Sequence, residues 1–290
     1  MKYRVGHTTT YTYANKVDLA SHMLHLAPRS LPGQNVLGAK LQATPEPTRS
    51  HAASDHFGNN VAWMFLDQPH DKFVVTVSAE VEVNFSQPPP AEETLPWEAV
   101  AEAARVGGHD AWRAAEFLFD SPMIPGEPAA FIYAAPSFPP GRPILACLLD
   151  LNARIRKEFA FKSGVTTINT PVSKVLAQRA GVCQDFTHLM IAALRAHGLP
   201  ARYVSGYLRT KPPPGTIPRR GADQSHAWVG AWLGPQHGWV DLDPTNNLVV
   251  KDEHVVLAWG RDYGDISPVR GVILGGGRHS VVVGVDLEAI

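Results

Sequence analysis

Apolar and polar residues alternate along two stretches of this chain, and this period of two constrains the fold more than any other feature. From Phe73 to Val83 every second residue is Phe, Val or Ala, and most residues between them are polar. The stretch from Tyr3 to Tyr13 alternates in the same way. Successive side chains of a strand point to opposite faces, so both stretches are predicted to be half-buried antiparallel strands. Residues 1–86 are therefore expected to form an antiparallel β-sandwich or barrel.

The prolines at 88–90 end this β-rich region, and helical signals follow them. Residues 97–106 lie between a proline and a pair of glycines, which are typical helix boundaries. After Pro143, apolar residues recur every three or four positions, as on one face of a longer helix. Residues 87–160 are interpreted as a helical connecting region.

The third region, 161–250, combines helices with strands, and the tail, 251–290, is β-rich again. The chain is therefore predicted to be α+β, with the β-rich N-terminal region preceding a core in which helices pack on an antiparallel sheet. The elements predicted for the core are helices over 171–181 and 183–198 and strands over 201–208, 225–233 and 239–243.

The composition excludes several functional classes. The net charge is -1, whereas phosphate contacts need a basic surplus, so no nucleic-acid partner is expected. The two cysteines, Cys147 and Cys183, are too few for a disulfide scaffold or a zinc cluster, and Cys147 is predicted to be buried in a helix. No apolar run is long enough to span a membrane and no signal sequence is visible, so we expect a cytoplasmic protein without membrane contact. The pattern does not reveal the oligomeric state.

The position of Cys183 favours a chemical role. It follows Gly181, where the chain can turn sharply, and it begins a strongly patterned helix. The dipole and the unpaired N–H groups at a helix N-terminus favour the thiolate, which is the nucleophilic form. A single cysteine is nevertheless more often packed and inert, so its position alone does not decide the function.

A base for this thiolate is expected at His226, since histidine titrates near neutral pH. His226 begins a predicted strand, and a tight turn leads from that strand to another that carries Asp241 and Asp243. Facing side chains on neighbouring strands lie about 5 Å apart, so a carboxylate there can orient an imidazole. The two aspartates share a face, which leaves the choice between them open, although Pro244 favours an extended conformation at Asp243.

Several segments together resemble the core of the transglutaminase-like superfamily, the papain-related group with a Cys-His-Asp triad. These core segments are 181–189, 198–207, 225–229 and 238–246. The N-terminal part resembles the bacterial branch of the family. The segments that carry this second resemblance are 7–11, 26–29 and 55–59, with the tail segment 260–271. The resemblance covers most of the chain, and residues 90–140 are its least distinctive part.

The resemblance implies cysteine-dependent acyl transfer, with Cys183 as the nucleophile, His226 as the general base and Asp243 as the orienting carboxylate. The implied substrate is a peptide or protein with amide or glutamine groups. Water or an amine would resolve the thioester, and the sequence does not choose between them. No cofactor and no metal are implied. The alternative is a non-catalytic module that binds a protein or peptide on the same fold.

Two features remain open. The backbone N–H of Cys183 is the expected first oxyanion donor, and Gln184 and Gln178 are candidates for the second. His22 and His25 could form a metal pair, but structural roles are favoured because no third ligand lies nearby in the sequence.

The segment 209–224 is predicted to be a long loop, and it carries four cations. It could rim the cleft and favour acidic substrates, although a solvated loop is the simpler interpretation. The cations are Arg209, Lys211, Arg219 and Arg220.

Overall fold

The computed structural model describes residues 1–108, 111–210 and 224–290. The strands within these residues are β1 (Lys2–Leu24), β2 (Gln34–Thr44), β3 (Arg49–Ser54), β4 (Asn60–Leu66), β5 (His70–Val83), β6 (Ala160–Phe161), β7 (Ala180–Gly181), β8 (Ala201–Leu208), β9 (Gln224–Trp232), β10 (Trp239–Asp243), β11 (Leu248–Val249), β12 (His254–Gly260), β13 (Val269–Gly275) and β14 (His279–Ala289). The α-helices are α1 (Trp97–Val106), α2 (Ala111–Ala115), α3 (Pro128–Ala134), α4 (Ile144–Glu158), α5 (Val172–Gln178) and α6 (Cys183–Ala196).

The long strand β1 organises a curled antiparallel N-terminal sheet. The sheet has the order β2-β5-β1-β4-β3, and β13 and β14 also pair with β1. The first half of β1 lies between β5 and β14, and its second half lies between β4 and β13. This half-barrel confirms the predicted antiparallel β-rich region. The sequence pattern did not show that the C-terminal strands β13 and β14 complete it by pairing one after the other with β1.

The core is a second antiparallel sheet, with the order β11-β10-β9-β8-β12, against which α6 packs. Every residue of α6 from Asp185 to Arg195 is buried, because the sheet covers one side and α3, α4 and α5 contact the helix as well. The α+β fold class predicted from the sequence is therefore confirmed.

One continuous hydrophobic cluster joins the two sheets. It includes Tyr3 and Val5 of β1, Val285 of β14, and apolar residues of α6 such as Leu189 and Met190. Burial of this apolar area stabilises the position of the N-terminal sheet against the core. The sheet is therefore placed to form part of any site at the start of α6.

The helix α5 is shorter than the predicted helix over 171–181. It ends at Gln178, because Arg179 adopts a left-handed conformation with φ 52°. The next two residues form β7, which pairs in parallel with β6. These backbone hydrogen bonds compete with helix continuation, and they direct the chain into α6.

Within the described ranges, no helix combines the length and the apolar character needed to cross a lipid bilayer.

Candidate active site

Cys183 is the first residue of α6, and a local hydrogen-bond network fixes its position. The Val182 N–H and the Thr166 hydroxyl both donate to Oδ2 of Asp185, each over 2.7 Å. A Cβ at Gly181 would lie 2.8 Å from the Asp185 Cβ, so the close approach requires glycine. The half-buried thiol of Cys183 is thereby held at the positive end of the helix dipole.

His226 of β9 and Asp243 of β10 meet at one end of the core sheet, and both are buried. The Nε2 atom of His226 donates to Oδ2 of Asp243 over 2.8 Å, since an ionised carboxylate only accepts. The turn after β10 supplies more donors. Oδ1 accepts the backbone N–H groups of Thr245 and Asn246 at 2.9 and 3.2 Å, and the Asn246 side-chain amide donates to Oδ2 over 2.7 Å.

These contacts set the charges of the site. Burial alone would raise the pKa of Asp243, but the rings of His226 and His254 hold it well below its usual range. Burial alone would lower the pKa of His226, but its interactions with Asp243 and Cys183 raise it to about 10. Because Nε2 faces Asp243, Nδ1 is the ring nitrogen left for the thiol. The structure thus brings together the three residues that the sequence suggested, with His226 between the other two.

Asp241 shares the sheet face of Asp243, as the alternation requires, but it has different partners. Its Oδ1 lies 3.7 Å from an Arg202 nitrogen, and its Oδ2 accepts the indole N–H of Trp228 over 3.0 Å. The Arg202 guanidinium in turn lies over the ring of Trp239, 4.4 Å from its centre. Asp241 therefore binds Trp228 and Arg202 within the core sheet. Of the two aspartates, only Asp243 has a hydrogen bond with His226 among the described residues.

Two polar residues of this site, Asn246 and His254, were not found from the sequence. His254 begins β12, and its Nε2 atom lies 3.6 Å from Oδ2 of Asp243. The side chain is buried, and neither ring nitrogen has a hydrogen-bond partner among the described residues. The proximity of His254 depends on the path of the chain between β10 and β12, which no periodic pattern encodes. Asn246 directly follows the Asp-Pro-Thr motif, and this position is the sequence signal that could have identified it.

His226, Asp243 and His254 also offer three potential metal ligands whose atoms lie within 4.8 Å of one another. His22 and His25 are not part of any such group within the described residues. His22 stacks on Phe73 at 4.4 Å between ring centres, and Nε2 of His25 lies 3.4 Å from a carboxylate oxygen of Asp55.

The two glutamines considered as oxyanion donors both bind backbone carbonyls. The Gln184 amide donates to Ile168 over 3.0 Å, and the Gln178 amide donates to Ala180 over 2.7 Å. Gln184 lines the cleft beside Cys183. Gln178 holds the short strand before the nucleophile.

Cys183 and His226 open into a cleft of about 1260 Å³. One side is formed by the core, and the other by the N-terminal sheet, including His7 of β1 and Val283 of β14. Pockets for small molecules usually measure ~300–1,000 Å³. The cleft is therefore larger than a usual small-molecule pocket.

Cys147 does not line this cleft. Cys147 is fully buried in α4, as predicted, and burial raises the pKa of its thiol to about 11. Of the four cations considered between 209 and 224, only Arg209 lies within the described residues. Its backbone N–H donates to Glu253 over 3.0 Å.

Two family models match the chain. Residues 3–82 match the bacterial transglutaminase-like N-terminal region, and residues 143–244 match the transglutaminase-like superfamily. An uncharacterized protein of Mycobacterium tuberculosis is 41% identical over 295 aligned residues, which cover 99% of this chain and 92% of the relative.

Two further similarities are more limited. The protein-glutamine gamma-glutamyltransferase of Pseudomonas aeruginosa is 40% identical over 68 residues, which are 23% of this chain and 10% of that protein. A crystal structure from Cytophaga hutchinsonii, described provisionally as a cysteine protease, has a TM-score of 0.77 and 24% identity over 99% of this chain and 90% of that chain. At 24% identity, the similarity to the Cytophaga hutchinsonii structure shows a shared fold.

Proposed function

This chain belongs to the transglutaminase-like superfamily, and from that premise we propose that it is a cysteine-dependent enzyme that transfers acyl groups from amide or peptide bonds through a thioester. Cys183 is the proposed nucleophile, His226 the proposed acid and base, and Asp243 the carboxylate that orients His226. The observation that carries the proposal is the hydrogen bond of 2.8 Å from His226 to Asp243, with Cys183 on the other side of the ring at the start of α6.

The reaction begins from an ion pair, in which Nδ1 of the His226 imidazolium already holds the proton of the Cys183 thiol. The thiolate attacks the carbonyl carbon, and the new S–C bond gives a tetrahedral oxyanion that the backbone N–H of Cys183 can stabilise. The C–N bond then breaks, and the imidazolium gives its proton to the leaving amine. In the second half, His226 takes a proton from water or from an amine, which attacks the thioester and releases Cys183.

The acceptor defines two finer activities, hydrolysis and amine transfer. Similarity to part of a protein-glutamine gamma-glutamyltransferase supports glutamine carboxamides as one donor class. Mass spectrometry of a peptide mixture incubated with the protein and a primary amine distinguishes the outcomes. Cleaved peptides indicate a peptidase, deamidated glutamines an amidase, and amine adducts a transglutaminase.

Alkylation tests the proposed nucleophile without any substrate. Iodoacetamide should label Cys183 much faster than Cys147 near pH 7, because Cys147 is fully buried and the pKa of its thiol is raised. His226→Ala should slow the labelling of Cys183. Equally slow labelling of both cysteines, with no product from the peptide mixture, would instead favour the non-catalytic binding module.

A further inference from the structure

The strand β14 forms part of the wall of the Cys183 cleft and lies at an edge of the N-terminal sheet. Its partner among the described strands is β1, in a register that runs from Tyr3 opposite Ala289 to Tyr13 opposite His279. Between His279 and Val283, the other long side of β14 has no strand partner among the described residues.

Hydrogen bonds at both ends of β14 show which of its backbone groups β1 uses. The Ile290 N–H donates to Lys2 over 2.9 Å, and the Ala14 N–H donates to Arg278 over 2.8 Å. Both pairs join even-numbered residues, and the register between them is unbroken. In an antiparallel ladder, hydrogen-bonded pairs alternate with pairs whose N–H and C=O groups point the other way. The even-numbered residues of β14 therefore bind β1.

Of the odd-numbered residues, His279, Val281 and Val283 consequently present their N–H and C=O groups to the side of β14 that faces away from β1. At His279, Val281 and Val283, no hydrogen bond to another described residue occupies these groups. Their side chains line the same cleft as Cys183 and His226, and Val281 and Val283 are 45% and 49% exposed.

An exposed strand edge of this kind promotes aggregation unless a binding partner pairs with it. Proteins normally protect exposed edges with lysine, proline, bulges or very short strands, because unpaired edges recruit other chains. Strand β14 has 11 residues, it pairs with β1 without a bulge, and 281–283 are three consecutive valines. This edge lies beside Cys183, and the substrate of that thiol enters the same cleft. The substrate is therefore the expected binding partner of the edge.

We propose that an extended segment of the substrate polypeptide pairs with the free edge of β14 and is thereby laid along the cleft beside Cys183, a role that rests on the acyl transfer proposed above. Main-chain hydrogen bonds to Val281 and Val283 give affinity that does not depend on the substrate's sequence. Apolar side chains at alternate positions of the substrate pack on these two valines. The substrate class is therefore an unfolded or extended polypeptide rather than an isolated amide.

Proline substitution tests the pairing, because it removes an outward N–H and leaves the ladder to β1 intact. A Val281→Pro, Val283→Pro protein is compared with a Val281→Thr, Val283→Thr protein, which keeps both N–H groups. Products are counted by mass spectrometry with two probes: β-casein, which is a largely unfolded polypeptide, and benzyloxycarbonyl-glutaminylglycine, which is too short to extend along β14.

The proline pair should lower the rate on β-casein by about tenfold or more, the loss expected for two or more hydrogen bonds. It should lower the rate on the dipeptide and the alkylation of Cys183 far less, and the threonine pair should lose less than the proline pair. Equal losses on both probes, or no loss on β-casein, would overturn the proposal.

Amide hydrogen exchange tests the same edge without turnover. In the full-length Cys183→Ala protein, the N–H groups of Val281 and Val283 should exchange quickly and that of Val282 slowly. A lysine-flanked peptide of alternating valine and threonine around a central glutamine, at millimolar concentration, should slow exchange at 281 and 283 by about tenfold and leave 282 unchanged.

Slow exchange at 281 and 283 without the peptide, or no slowing with it, would contradict the docking edge. The two proposals are separable. If the wild-type protein converts neither probe but the peptide protects 281 and 283, the acyl transfer fails and the docking edge remains.

Discussion

The Nε2 atom of His254 lies 3.6 Å from Oδ2 of Asp243, the same oxygen that accepts the hydrogen bond from His226. In the core sheet, β9 and β8 lie between β10 and β12. The chain from β10 to β12 nevertheless brings His254, the first residue of β12, close to the carboxylate of Asp243. The ring is 2% exposed and meets the indole of Trp228 edge-on at 5.1 Å between centres. His254 is therefore a fixed and buried neighbour of the group proposed to orient the general base.

We expect His254 to act as a positioning residue through Asp243. His254→Phe keeps a ring beside Trp228 but removes the nitrogen near Asp243. At 3.6 Å the interaction is weak, so kcat/KM should fall only about fivefold, corresponding to ~1 kcal/mol. The basic limb of the pH–rate profile should also move to lower pH, because a less firmly held carboxylate stabilises the His226 imidazolium less. His254→Gln, which restores an N–H donor, should recover most of both effects. An unchanged pH profile in His254→Phe would assign the residue a packing role only.

The two aspartates of β10 should differ in their effects on activity. Asp243→Asn removes the charge that holds His226 and should lower kcat on the order of 100-fold or more. Asp241→Asn weakens the contacts with Arg202 and Trp228, so its main effect should be a lower melting temperature. Turnover and thermal unfolding of both variants test this distinction. A larger loss of kcat in Asp241→Asn would move the orienting role to that residue.

The charge of His226 sets the expected pH dependence. Its raised pKa means that the imidazolium persists above neutral pH, so the proton required by the leaving amine is available there. Replacing Asp243 by Asn removes a negative charge, which lowers the pKa of His226 and shifts the basic limb of kcat/KM to lower pH. Profiles of kcat/KM measured between about pH 5 and 11 should show this shift, since this range spans the reference pKa of histidine. A shift to higher pH, or none, would exclude Asp243 as the main partner of His226.

Much of the local structure follows directly from local chemistry. The helix over 97–106 and the strand over 239–243 begin and end as predicted, because proline and glycine at their boundaries limit the backbone there. The juxtaposition of Cys183, His226 and Asp243 was inferred from a helix N-terminus, a β-hairpin and a family resemblance.

Long-range pairing could not be predicted in the same way. The contact between β14 and β1 joins residues from opposite ends of the chain, and alternation indicates a strand without naming its partner. The approach of His254 to Asp243 and the early end of α5 at Gln178 likewise depend on neighbours that are distant in sequence. In α5, tertiary hydrogen bonds overrule a local helical pattern.

The buried His22 should make the protein sensitive to acid. Burial and the nearby His70 lower its pKa to about 4, whereas an unfolded chain binds the proton near pH 6.5. The unfolded state therefore holds more protons between these values, and the free energy of unfolding falls as the pH is lowered. His22→Phe should reduce this slope by about 1.4 kcal/mol per pH unit. Urea unfolding of both proteins between pH 7.5 and 4, a range that spans the two pKa values, measures it. Parallel stability curves would show that His22 is protonated without cost in the folded protein.

Gly181→Ala tests whether the tight approach to Asp185 holds the nucleophile. The added Cβ would lie 2.8 Å from the Asp185 Cβ, so the Asp185 side chain must leave the N–H of Val182 and the start of α6 must shift. The free energy of unfolding should fall by about 1–3 kcal/mol, as for other overpacked sites, and Cys183 should be alkylated more slowly. Gly38→Ala is the matched control, because a Cβ there meets nothing within 4 Å, and it should change neither quantity. Denaturant unfolding and timed alkylation with iodoacetamide measure the two effects. Normal alkylation of Cys183 in a destabilised Gly181→Ala protein would show that Gly181 serves folding without positioning the thiol.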